Sequence, residues 1–176
     1  MFTGRKHGGK TTAANRLARQ VRLKGFIAAG LLAPAVYKDS RLVGFGAVDL
    51  MRDKQIDLAN RRIAAGKRGR WAFTEAGLKL GKAALNPSAA SSANLIIVDE
   101  FGPLELDGRG WRKEVDLLLA STDVPVVLVV RQELEGRVQK LYENYTSTKL
   151  AAGKEDSINK VIRILKERKI GNGLND

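Results

Sequence analysis

Gly4-Arg5-Lys6-His7-Gly8-Gly9-Lys10-Thr11 fits the pattern G-x-x-x-x-G-K-[ST], the signature of a loop that wraps a polyphosphate. Each position answers a physical demand. Glycines let successive backbone N–H groups turn toward the phosphates, and a helix starting at the end of the loop adds the positive end of its dipole. A lysine then balances charge on the β and γ phosphates, and the hydroxyl residue beside it ligates Mg²⁺. These demands assign Gly4, Arg5, Lys6, His7, Gly8, Gly9, Lys10, Thr11 and Thr12 to the triphosphate, Lys10 also to charge stabilisation during catalysis, and Thr11 to the metal. The chain continues as the motif requires. Over Thr12 to Leu23, Ala13, Ala14, Leu17 and Val21 share one helical face while Arg16, Arg19 and Arg22 share the other.

A loop of this kind needs a carboxylate facing it from the end of a buried strand. Leu95-Ile96-Ile97-Val98 is uniformly apolar, as a strand covered on both faces of a parallel sheet must be, and it ends in Asp99-Glu100. Asp99 is thereby placed as a metal ligand acting with Thr11. Glu100 is placed as the catalytic group that polarises water for attack on the γ phosphate. Val124 to Val130 repeats the apolar pattern, and Trp111 to Ala120 between them carries Val115, Leu118 and Leu119 at helical spacing. Strand, helix and strand within about 35 residues make a βαβ unit, so an α/β fold with a mostly parallel central sheet flanked by helices is expected.

Elsewhere the pattern changes. Phe26 to Tyr37 and Leu42 to Leu50 read as extended segments around the turn Lys38-Asp39-Ser40-Arg41, and Gln55 to Ala59 adds a third strand. Together they form an antiparallel β segment after the first helix. Thr74 caps a helix that runs to about Leu85, Asn86-Pro87-Ser88 stops it, and Ala89 to Asn94 is a small-residue linker. Tyr145 to Leu150 is a weaker strand, Asp156 to Arg168 a helix with Ile158, Val161, Ile162 and Leu165 on one face, and Gly171 to Asp176 a frayed tail. Trp71, Phe73 and Trp111 read as core aromatics in preference to rings that stack on a base, His7 as a solvated loop tip in preference to a phosphate contact, and Glu105, part of the stretch after Glu100, has no assigned role beyond shaping that loop. Arg131 reads either as a γ-phosphate sensor or as a surface arginine. Only Met1 and Phe2 precede Thr3-Gly4, so the strand that should feed the loop, central in most doubly wound sheets, is expected to be missing.

A chain of 176 residues suits a single domain, 1–176, with one substantial core. The absence of cysteine and the single histidine, His7, exclude disulfide frameworks, thiolate metal sites and any chemistry that needs two imidazoles. No apolar run approaches a membrane span and no secretory signal follows Met1, so a cytoplasmic location without membrane association is expected. Lysine and arginine number 31 against 19 acidic residues, a net charge of +12 that favours polyanionic ligands. The basic residues are spread over many segments, Arg61, Arg62, Lys67, Arg68 and Arg70 among them, which predicts weak nucleic-acid affinity without sequence preference. No protein partner is legible.

Thr3-Gly4 to Thr12, together with Val98-Asp99-Glu100-Phe101-Gly102-Pro103-Leu104-Glu105-Leu106, resembles the nucleoside-triphosphatase family first described from thermophiles, also known as the cancer-related nucleoside-triphosphatases. Gly25-Phe26, Gly44-Phe45, Asp49-Leu50 and Gly69-Arg70-Trp71-Ala72-Phe73 extend the resemblance over nearly the whole chain. It implies a RecA-like P-loop fold and slow, Mg²⁺-dependent hydrolysis of ATP, GTP and other nucleoside triphosphates to diphosphate and phosphate, with low base selectivity. The chain departs from the family pattern at His7, where many members have glycine, and in the strand before Thr3, whose absence would weaken triphosphate binding. The residues alone leave two alternatives open. One is a nucleotide-gated binding module for nucleic acid or a protein partner; the other is a nucleotide or nucleoside kinase, in which a hydroxyl attacks in place of water.

Overall fold

A computed structural model describes residues 1–62 and 70–172 of the chain. In β7 (Leu95–Phe101) and β8 (Val126–Arg131) the side chains alternate between two faces, and both faces are buried. Leu95, Ile97, Val127 and Val129 join one core; Ile96, Val98, Leu128 and Val130 join the other. A period of two with both phases apolar is the pattern of a sheet sandwiched between helices. The first core is completed by α1 (Lys10–Leu23) through Ala14, Leu17 and Val21, and by α7 (Glu155–Asn172) through Ile158, Val161 and Leu165. The second core is closed by α2 (Glu75–Ala84), α5 (Arg112–Ser121) and α6 (Glu135–Leu141), through Leu80, Val115, Leu118 and Val138, with Leu106 of the short α4 (Pro103–Leu106) packed against it.

Nine strands are described, and eight run in the order β6-β5-β4-β2-β7-β8-β1-β9. The half formed by β2 (Ala28–Leu32), β7, β8, β1 (Phe2–Gly4) and β9 (Leu150–Ala151) is parallel. The other half is antiparallel: β4 (Arg41–Asp49) pairs with β2, β3 (Ala35–Lys38) and β5 (Lys54–Arg62), and β5 pairs with β6 (Arg70–Phe73). The turn between β3 and β4 is Asp39-Ser40, with φ of 48° and 60°, the left-handed pair that a two-residue hairpin requires. At Gly30 the φ is 106°, and an added Cβ would stand 2.0 Å from the Ile97 carbonyl, so only glycine lets β2 lie this close to β7.

Several expectations need correction. The strand before the loop is present. It is three residues long, Phe2 to Gly4, and lies between β8 and β9 rather than at the sheet centre. Phe2, Thr3 and Gly4 stand opposite Val129, Val130 and Arg131, and Leu150 and Ala152 donate backbone bonds to Met1 and Thr3 from the other side. Two flanking strands satisfy a segment too short to read as a strand in isolation. The weak strand expected over Tyr145 to Leu150 shrinks to Leu150–Ala151, because the short β1 is the only edge it pairs with among the described residues. Asn86 does not merely stop α2; its side chain accepts from the Ser88 amide and caps a short helix, α3 (Pro87–Ala90), that runs from the expected stop into the first two residues of the expected linker. The extended stretch Phe26 to Tyr37 breaks at Ala33-Pro34, between β2 and β3. The last helix reaches Asn172, so Gly171 and Asn172 belong to it, while residues 173–176 of the expected tail lie outside the described residues, as do Lys67, Arg68 and Gly69.

Phe2 is fully buried against α1 and α7. Phe2→Ala is expected to cost about 3–5 kcal/mol, read by urea denaturation at equilibrium; a loss below about 1 kcal/mol would show that β1 contributes little to the sheet.

Candidate active site

The sheet delivers β1 and β7 to the same end of the molecule, with β8 between them. From the end of β1 the chain turns at once into the loop, and α1 starts at Lys10. Within the loop the Gly8 amide donates to the Arg5 carbonyl at 3.0 Å, and an added Cβ on Gly8 would press on that same oxygen. Gly9, at φ 71°, is the N-cap of α1 and has no side chain to compete for the orphan N–H groups of its first turn. Lys10 is buried to 6% exposure, and its ammonium donates across the loop to the Arg5 carbonyl at 3.2 Å. Arg5, Lys6, His7, Gly8 and Gly9 are exposed along the loop, with Thr11 half-buried and Thr12 exposed on the first turn of the helix. His7 is the exposed tip, as expected, and has φ 57°. A left-handed position favours glycine, and histidine is among the side chains that tolerate it best, so this departure from the family pattern keeps the same backbone.

Asp99 is fully buried at the carboxyl end of β7. Its carboxylate accepts the Ala33 amide at 3.1 Å and the Glu100 amide at 3.0 Å, and the Thr11 side chain of the loop lies beside it. Burial pushes the Asp99 carboxyl above the ordinary aspartate value, and the neighbouring Thr11 hydroxyl and Ala33 amide oppose that shift. Thr11 and Asp99, 88 positions apart in sequence, are thus brought together as the loop motif demands. Ala33 is a partner that sequence reading missed, because a backbone amide leaves no residue-type signal. Glu100 leaves the strand differently. β7 and β8 lose register between Val98 and Phe101, and Glu100 adopts φ 59°. This bulge turns its carboxylate toward Arg131, 3.8 Å away at the end of β8.

A hydroxyl and a carboxylate meeting beside a glycine-rich loop is a donor set that Mg²⁺ accepts, since that ion keeps most of its waters and takes one or two protein oxygens. The geometry therefore calls for comparison with phosphate-binding enzymes. The sequence pattern of the NTPase family matches residues 1–163. The chain belongs to this NTPase family. Among relatives, nucleoside-triphosphatase THEP1 of Methanothermobacter thermautotrophicus is 30% identical over 148 residues, covering 77% of this chain and 78% of that protein. THEP1 of Methanocaldococcus jannaschii is 28% identical over 168 residues, covering 94% of this chain and 98% of the relative. The fold is similar to the solution structure of a human cancer-related nucleoside triphosphatase, with a TM-score of 0.68 at 19% identity and 94% of each chain covered. It is also similar to the crystal structure of THEP1 from Aquifex aeolicus, with a TM-score of 0.65 at 18% identity, covering 93% of this chain and 96% of that one.

This NTPase carries a cleft of about 590 Å³ whose walls include Phe45, Trp71, Phe73 and Trp111, together with Glu100 and Arg131 from the ends of β7 and β8. Here the core reading of the aromatics fails in part. Trp111 is buried against Gly81 of α2, but Trp71 and Phe73 are 39% and 49% exposed. They sit two residues apart on β6, at the edge of the sheet, so both point to one face. Phe45 meets Trp71 edge to face at 4.8 Å between ring centres. That i, i+2 spacing of aromatics was the available sequence signal. Glu105 shapes the loop after Glu100, as expected: its buried carboxylate accepts the Gly102 amide at 2.8 Å and the Trp111 amide at 3.0 Å. Glu105→Ala would leave both amides unpaired and is expected to cost about 2–4 kcal/mol. The emission of the Trp111 side of the cleft would shift with it; unchanged stability in a thermal melt would remove Glu105 from this structural role.

Proposed function

We propose that the chain hydrolyses nucleoside triphosphates to diphosphate and phosphate in a Mg²⁺-dependent reaction with low base selectivity. The meeting of Thr11 of the loop with the buried Asp99 at the end of β7 carries this reading. Backbone N–H groups from Gly4 to Thr11 and the start of α1 cradle the phosphates, and Lys10 moves from the Arg5 carbonyl to the β and γ oxygens. Mg²⁺, held by Thr11 and Asp99, neutralises charge on the β and γ phosphates when bound. Glu100 accepts a hydrogen bond from the attacking water and aligns it with the γ phosphorus, while Arg131 holds the Glu100 carboxylate in place. Low base selectivity fits a site built from backbone amides, since the groups gathered here recognise phosphate and water rather than a base edge.

Phosphate release from ATP, GTP, CTP and UTP with Mg²⁺ is the direct test, with rates expected to agree within about tenfold of one another. Lys10→Ala is expected to lose both nucleotide binding and turnover, because its charge serves ground and transition states alike. Glu100→Gln is expected to keep binding but lose turnover by about 100-fold or more. Full hydrolysis by Lys10→Ala would show that the loop is not the phosphate site.

The pH dependence follows from Asp99. Its folded-state carboxyl titrates above its unfolded value, so the native protein holds an extra proton between the two, and that contribution to stability is lost as pH rises through the raised value. Metal needs the ionised form. Binding of the Mg²⁺–triphosphate complex is therefore expected to release a proton in that interval and to tighten as pH rises across it. Calorimetric titrations in buffers of different ionisation enthalpy measure this, with Asp99→Asn as the variant in which the released proton disappears.

A further inference from the structure

We propose that the aromatic cleft beside Glu100 is a second small-molecule site, taking a planar heteroaromatic alcohol of the nucleoside class as a phosphoryl acceptor. This rests on the reading of Glu100 as the group that orients the nucleophile. Water needs no more than a small polar niche there, yet the carboxylate opens on a cleft of about 590 Å³, a size typical of sites for small organic ligands. Its walls suit a flat ring. Trp71 and Phe73 offer partly exposed aromatic surfaces on an edge strand, and Leu78 and Leu104, each 37% exposed, extend the apolar lining. Exposed apolar surface gathered in a concavity and rimmed by charge is the usual mark of a ligand groove.

The polar groups point to an alcohol. Glu105 lines the cleft, but both of its oxygens are taken by backbone amides. Glu100 is the remaining carboxylate of the lining, so it is the acceptor available to a ligand hydroxyl. Arg131 stands beside it, and Lys82, which makes no ion pair among the described residues, supplies a donor for a ring heteroatom. No residue of Gly4 to Thr11 lines the cleft, so triphosphate and acceptor can be bound together. In the step, the acceptor oxygen forms a bond to the γ phosphorus as the bond from that phosphorus to the β–γ bridging oxygen breaks. The hydroxyl proton passes to Glu100, and the products are the nucleoside diphosphate and the phosphorylated alcohol. With water in the cleft instead, the same alignment yields hydrolysis.

The protein's two tryptophans, Trp71 and Trp111, both line this cleft, so its emission reports occupancy. Adenosine, guanosine, cytidine, uridine and pyridoxine are the probes, titrated first by fluorescence and then incubated with γ-labelled ATP and Mg²⁺. At least one is expected to give saturable quenching and a labelled phosphate ester, with ADP equal to the sum of ester and free phosphate. Absence of saturable quenching by all of them, or saturable quenching without ester, overturns the proposal. Trp71→Leu is expected to raise the KM for the probe roughly tenfold while probe-free hydrolysis stays within about twofold, and Leu78→Asn gives the same split if the first variant does not fold. An unchanged KM in the folded variant counts against the cleft. Lys10→Ala separates the two readings: it should keep the quenching and lose both hydrolysis and transfer. Should that variant hydrolyse normally, the loop assignment fails, and quenching with ester formation still judges the cleft.

Discussion

The burial of the Asp99 carboxylate beside Thr11 of the loop is the constraint on which the site depends. It requires the ends of β1 and β7 to lie within reach across β8, as the parallel order β7-β8-β1 provides. It also takes a carboxylate out of water, which disfavours its charge. The amides of Ala33 and Glu100 make that tolerable, with the Thr11 hydroxyl beside them. Each comes from a different part of the chain. Displacing β1, the Ala33 turn or the bulge at Glu100 would leave the carboxyl short of a partner, so the phosphate loop and the sheet are energetically one unit.

Asp99 and Glu100 are neighbours with opposite fates, and the bulge between β7 and β8 separates them. Asp99 stays in the sheet and faces the loop; Glu100, in a left-handed conformation that costs a non-glycine residue about 1–3 kcal/mol, leaves it to face Arg131. Partly exposed, that ion pair contributes little to stability, so it does not offset the strain. The offset lies in the following turn. Glu105 satisfies the Gly102 and Trp111 amides together and fixes the chain on the far side of Glu100. Strain at the carboxylate proposed to orient the nucleophile, held by a buried carboxylate five residues on, is the arrangement expected where backbone geometry is kept for chemistry.

How much was legible follows from where each feature draws its stability. Gly4 to Thr11 and Leu95 to Glu100 could be read because their signals are local: glycine spacing, a Lys-Thr pair, and an apolar run ending in acids. The two-faced sheet was legible from Leu95 to Val98 and Val124 to Val130 for the same reason. β1 was not, because its three residues are a strand only through Val129, Val130 and Leu150, all more than a hundred positions away. The cleft was not legible either. Phe45, Trp71, Phe73 and Trp111 come from β4, β6 and the start of α5, and aromatic residues on one face signal burial without saying whether another element or a ligand supplies the cover.

The two halves of the sheet solve different problems. A parallel sheet ending at β2 would present a long unpaired edge, and β4 closes it, pairing with β2 through Leu31 and Leu32 and then with β3. Adding β5 and β6 moves the edge outward to Arg70–Phe73. An edge strand is ordinarily protected by charge or proline, yet this one ends in Trp71-Ala72-Phe73, with both aromatics on the face turned toward Glu100. Closing the sheet alone would be served as well by polar side chains at those positions. Placing rings there exposes apolar surface at a cost that is recovered only when something flat covers it. The antiparallel extension therefore does more than finish the fold: it brings an apolar wall to the one carboxylate that the parallel half has turned out of the sheet.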